Sequence, residues 1–110
     1  MPSVVLLPRA DAQITEVLAY TFERFGETKY LDYRGLIDLA LKTSEERPTA
    51  GKRRPEIHPD AWTYHIAKPG RNARHLFLYR IGDDVEVARF LHDAMNLRRQ
   101  RPEEWREPRE

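Results

Sequence analysis

One stretch constrains this chain more than any other: Arg74-His75-Leu76-Phe77-Leu78-Tyr79-Arg80-Ile81-Gly82-Asp83-Asp84-Val85-Glu86-Val87-Ala88-Arg89-Phe90-Leu91-His92. Two runs rich in aromatic and β-branched residues flank Gly-Asp-Asp, which predicts two strands joined by a tight turn. Gly82 is expected to supply the positive φ of a short hairpin turn. Alternation puts Leu76, Leu78 and Arg80 on one face of the first strand and His75, Phe77, Tyr79 and Ile81 on the other. In the second strand Val85, Val87, Arg89 and Leu91 oppose Glu86, Ala88, Phe90 and His92. Apolar residues fall on both faces, so a cover is expected on each. Arginines inside both strands are the less usual feature.

At 110 residues the chain is expected to form one domain, large enough for a single modest core. Its 40% hydrophobic and 34% charged residues fit a small globular domain. It has no cysteine, which excludes disulfides and thiolate metal sites and suits a reducing compartment. No apolar run reaches bilayer length and Met1-Pro2-Ser3 does not open a signal peptide, so a cytoplasmic protein is expected. Residues 51–100 hold ten Lys/Arg against six Asp/Glu, while residues 1–50 hold six against eight. The basic excess coincides with the hairpin and marks either a solvated surface or a contact for an anionic partner.

Ser3–Leu7 is a short apolar run that suits a buried strand. Pro8 suits the first turn of a helix, and Asp11 the positive end of its dipole. Ile14, Val17, Leu18, Thr21, Phe22 and Phe25 then form one helical stripe. Gly26 is a natural helix stop. A second helix is predicted from Glu27 or Thr28 to Glu46, with Tyr30, Tyr33, Ile37, Ala40 and Leu41 inward. Gly35 is expected to let the two helices approach closely. Pro48, Gly51, Pro55 and Pro59 predict a loop over 48–60. Ala61–Lys68 reads as a strand and Pro69–Asn72 as a turn. Gln100–Glu110 should be frayed or only locally helical, except that Trp105 is expected to dock. The expected fold class is α+β, in the order β-α-α-β-β-β. An antiparallel helix hairpin packs on a small, mainly antiparallel four-stranded sheet. Residues 1–98 are expected to form the domain and 99–110 a charged tail.

Several motifs in this order resemble the toxin subunits of the RelE/ParE superfamily of bacterial type II toxin–antitoxin pairs. Glu23-Arg24-Phe25-Gly26 looks like that family's interhelix corner, and Pro48-Thr49-Ala50-Gly51 like its exit from the second helix. Pro55-Glu56-Ile57-His58-Pro59 is similar to the run before its aromatic strand. The closest matches are Arg74–Ile81 and Glu86–His92, and they look more like the ParE side than the RelE side. In ParE-like toxins the strand-end His is usually followed by Gly and Arg and then an Asp. Here Asp93 and Ala94 follow His92, and Asn96 stands near the usual Asp.

The resemblance implies a growth-inhibiting, plasmid-stabilising toxin that binds the DNA gyrase A subunit and is not an enzyme. It implies silencing by an acidic, partly disordered ParD-like antitoxin in a hetero-oligomer. The alternative is a RelE-type, metal-independent mRNA endoribonuclease acting on the ribosome, or an inactive homologue that only binds antitoxin. Such a nuclease needs a base, an acid and cations for the phosphorane. The candidates are Arg74, Tyr79, Arg80, Arg89 and His92. For His92 a hydrogen-bonded strand end, for Tyr79 core packing, and for Arg80 and Arg89 pairing with Glu86 or snorkelling are the plainer readings. His58, His65, His75 and His92 lie at unrelated spacings, so neither a metal nor a cofactor is expected. Val17, Phe22, Phe25 and Ile37 should cover one sheet face. The opposite face should leave Trp62, Tyr64, Leu76, Leu78 and Val87 partly exposed for a partner. Target or antitoxin contacts are expected from Trp62, Tyr64, Arg74, Leu76, Leu78, Arg80, Arg89, His92 and Arg98.

Overall fold

A computed structural model describes residues 3–66 and 74–106. The predicted turn at Pro69–Asn72, the end of the predicted strand at Ala67 and Lys68, and residues 107–110 lie outside the described residues. The chain is α+β. Strand β1 (Val4–Leu6) leads into one long helical element, α1 (Pro8–Glu46). Four strands follow: β2 (Lys52–Arg53), β3 (Trp62–His65), β4 (His75–Ile81) and β5 (Val85–His92). The sheet has five strands in the order β1-β5-β4-β3-β2, with β1 parallel to β5 and the other pairs antiparallel. The expectation of four strands is thus corrected. Within the predicted loop, Pro48–Ala50 forms a 3-10 turn and Lys52–Arg53 pairs with β3 as a short edge.

The predicted pair of helices is corrected to one element with a single-residue break. Pro8 fills the first helical position and Asp11 the first turn. Helical geometry is interrupted at Gly26 (φ 85, ψ −176) and resumes at once on its far side. A straight helix of 39 residues would span about 58 Å, yet the longest dimension of the molecule is 50 Å. Both arms reach the same core, through Ala10 and Ile14 before the break and Ile37 and Ala40 after it. Gly35 does not serve a close approach, because a Cβ there would meet open space. At the far end Arg47 N–H donates to Thr43 O at 2.7 Å and Pro48 ends the helix.

The sheet separates two cores, and a β-bulge decides which residues enter each. The β4–β5 register shifts at Leu78/Tyr79, so that Leu78 opposes Arg89 but Tyr79 opposes Val87. The extra residue switches the side-chain parity along β5. Val85, Val87 and Phe90 therefore join Phe77 and Tyr79 on the helix side. Ala88 and Leu91 join Leu76 and Leu78 on the other side, with Ile57, Ala61 and Trp105. Strict alternation had put Ala88 with Phe90, and the bulge overrides it. Next to the bulge, Phe90 N–H donates to Gln13 Oε1 of α1 at 2.8 Å.

Gly82 does not take the expected positive φ. Among the described residues Gly26 alone does. The Gly82-Asp83-Asp84 loop closes instead by Gly82 N–H donating to Asp84 O at 2.9 Å. At Gly51 the constraint is space, since a Cβ would collide with the Tyr79 hydroxyl and the Thr63 carbonyl. No helix among the described residues is long and apolar enough to cross a membrane.

Candidate functional site

The two faces of the sheet offer very different surfaces. On the second face Leu76 and Leu78 are fully buried. The expectation that they stay partly exposed there is corrected, because the chain covers this face itself. Ile57 and Ala61 come from the segment before β3, and Trp105, 1% exposed, comes from the end of the chain. Trp105 docks as expected, through Nε1–H donating to Glu86 Oε2 at 2.8 Å. Of the two expectations for the tail, local helical structure is what residues 100–106 adopt: Glu103–Trp105 form a 3-10 turn and Pro102 is buried. Trp62, Tyr64 and Val87 are also reassigned. Their side chains belong to the helix-side core, where Val87 is fully buried and the other two partly so.

The helix face holds an open groove of about 740 Å³ between the two arms of α1 and the ends of β4 and β5. Val17, Tyr20, Phe25, Tyr33 and Leu36 give it apolar and aromatic walls, while Arg74, His75 and His92 close one end. Phe22 and Phe25, expected to cover the sheet, are 52% and 62% exposed instead. They stand near the tip, where Phe22 meets the Tyr30 ring edge-on at 5.8 Å.

The polar end of the groove is built around His75. Its ring stacks on Phe90 at 5.0 Å and meets His92 edge-on at 5.3 Å. Its Nδ1 is hydrogen-bonded to the Tyr33 hydroxyl. Burial, then the neighbouring His92 charge, lower the His75 pKa to about 4, against a smaller upward pull from Asp93. Burial and Asp93 push Tyr33 up to about 12. Both groups are neutral near pH 7, which fits the tyrosine O–H donating to the imidazole. Asp93 continues the cluster, with its Oδ2 3.3 Å from His65 Nε2. His92 Nδ1 accepts from Ala94 N–H at 3.1 Å, so a neutral His92 carries its proton on Nε2. Its 3.6 Å approach to Asp93 is an ion pair only when the ring is protonated. The Asp93-Ala94 corner that departs from the ParE pattern is thus the second wall of this histidine cluster.

Of the nuclease candidates, Arg74 and His92 come together in the groove. Tyr79, Arg80 and Arg89 do not join them. Tyr79 is buried in the helix-side core, its O–H donates to Pro48 O at 2.7 Å, and burial pushes its pKa up to about 12. Arg80 donates to Glu86 Oε2 at 2.6 Å and lies over the Trp105 ring. Arg89, 6% exposed, grips both carboxylate oxygens of Glu104 at 2.9 Å. Arg98 is exposed in the 3-10 turn Leu97–Arg99, outside the groove. Sequence reasoning missed Tyr33 and His75 as site residues. Their signal was present, since Tyr33 lay on the inward helix stripe and His75 on the same strand face as Phe77 and Tyr79. What was missing was the contact between helix and strand.

Comparison with known proteins adds a third line of observation. The family model for the ParE toxin of the type II toxin–antitoxin system parDE matches residues 4–97. Toxin ParE1 of Caulobacter vibrioides is 29% identical over 90 residues, spanning 82% of this chain and 88% of the relative. Among solved structures, the chromosomal ParDE TA system from P. aeruginosa is similar in fold, with a TM-score of 0.67 at 18% identity. That likeness covers 84% of this chain and 96% of the other.

Proposed function

Because this chain belongs to the ParE toxin family of type II toxin–antitoxin systems, we propose that it inhibits DNA gyrase, through the A subunit, by binding rather than by chemistry. The observation that carries this reading is the dispersal of the nuclease candidates. Phosphodiester cleavage needs its cations gathered on one phosphate. Here Arg80 and Arg89 are each held on a carboxylate, at Glu86 and Glu104, and Tyr79 points its hydroxyl at a backbone carbonyl. Purified protein is expected to inhibit gyrase supercoiling or trap cleaved DNA, and an equimolar cognate antitoxin to reverse the effect. Unimpaired supercoiling at large molar excess would count against it.

The same family membership supports an acidic, ParD-like antitoxin as partner. The apolar groove between the arms of α1 suits an amphipathic helix of such a protein, with its carboxylates reaching Arg74 at the polar end. Complementary charge there would speed and orient association more than tighten it. On this reading the antitoxin sits on the helix side rather than on the far face of the sheet.

One observation favours the alternative of RNA cleavage. His75, His92 and Arg74 share the groove, and two imidazoles beside a guanidinium are a minimal acid–base set. Primer extension on translated mRNA after induction separates the two readings. Discrete cuts abolished by His92→Ala support the nuclease. Intact transcripts with arrested replication support gyrase.

A further inference from the structure

The match to the family model ends at residue 97, yet residues beyond it are among the most buried in the molecule. Trp105 is buried against the second face of the sheet, and Pro102 is fully buried as well. One carboxylate of β5 holds this segment down, since Glu86 Oε2 accepts from both Trp105 Nε1 at 2.8 Å and Arg80 Nε at 2.6 Å. Arg80 lies over one part of the indole, 5.4 Å from its centroid, and the His58 ring meets it at 5.6 Å. A second point of attachment lies one residue away. Glu104 takes two hydrogen bonds from Arg89, and among the described residues no other carboxylate pairs with that guanidinium. Arginine stays charged at any relevant pH. Lifting the segment would therefore separate Arg89 from its counter-charge and open Leu76, Leu78 and Leu91 to water. The attachment and the burial of the sheet face depend on each other.

We propose that residues 98–106 are an intramolecular strap that takes the place of a partner on the second sheet face, leaving the helix-side groove as the apolar surface this toxin offers to other proteins. The second half of that statement rests on the reading of the groove as the antitoxin site. The strap lies beyond the residues that the family model matches. It explains how a two-sided apolar hairpin is covered without a second protein.

The chain has two tryptophans, so Trp62→Phe makes Trp105 the sole reporter. In that full-length protein, acrylamide is expected to quench Trp105 weakly. Glu104→Gln should raise the quenching constant roughly threefold or more as the strap opens locally. Replacing both partners, with Arg89→Met and Glu104→Leu, should restore shielding without charge, which separates the clasp from a general loss of fold. Purified antitoxin should leave Trp105 shielded and bind Glu104→Gln as it binds the parent. Free quenching of Trp105 in the folded parent protein, or no change on Glu104→Gln, overturns the strap. Exposure of Trp105 by antitoxin overturns its role in excluding partners. Normal antitoxin binding by Phe25→Asp, with Trp105 still shielded, overturns the groove reading and leaves the strap standing.

Discussion

At the scale of single residues, His75 is a base that the fold keeps neutral. Its pKa is lowered from 6.5 to about 4, with burial as the first cause. Between those values the unfolded chain binds a proton that the folded chain refuses. Its contribution to stability is therefore intact above pH 6.5 and falls as the pH drops toward 4. Thermal melts are expected to shift down from pH 7 to pH 5. His75→Phe, which keeps the stack on Phe90, should flatten that slope, and an unchanged slope would assign the acid sensitivity to other groups. Glu104 adds a separate, lower window. The Arg89 hydrogen bonds hold its carboxyl at about 2, below the usual 4.5. That contribution is present above 4.5 and is lost as the pH falls toward 2. The Glu104 side chain is 37% exposed, so solvent screens the pair on its side.

Among the elements, α1 carries two glycines with opposite expectations. Gly26 sits at φ 85 and ψ −176, a region open almost only to glycine. A Cβ there would touch nothing, so the cost of Gly26→Ala is backbone strain alone, about 1–3 kcal/mol. Gly35 lies in regular helix and its Cβ would also meet open space. Gly35→Ala should therefore stabilise by about 0.5–1 kcal/mol. Urea denaturation of the two variants checks both signs, and equal effects would mean the break at Gly26 is not a strained position. The hairpin makes the complementary point about strands. One extra residue in β5 is enough to send Ala88 and Phe90 to opposite cores.

For the whole molecule, the two faces predict different consequences of charge. Leu78 is fully buried under the chain's own segments. Leu78→Glu is therefore expected to unfold the protein, because an unpaired carboxylate enters a dry core. It does not report on the antitoxin. Phe25 is 62% exposed and lines the groove. Phe25→Asp should leave the circular dichroism spectrum intact and weaken antitoxin binding by about 2 kcal/mol, roughly thirtyfold in Kd. Titration calorimetry with the purified antitoxin measures this, and unchanged affinity would move the partner off the groove.

The sequence by itself determined the local structure. Alternation and turn chemistry marked β4 and β5, Pro8 and Pro48 bounded the helical element, and Gly26 marked its break, because these signals act over a few residues. It also carried the family, since the matched motifs are local strings. The tertiary structure alone decided which residues share a surface. The bulge reset the parity of β5, β2 formed only because β3 offered an edge, and Trp105 returned over the sheet to bury Leu76 and Leu78. The groove likewise exists only where Tyr33 of the helix meets His75 of the strand, 42 residues apart in sequence. Contacts of that separation depend on how the elements pack, and no local pattern encodes packing.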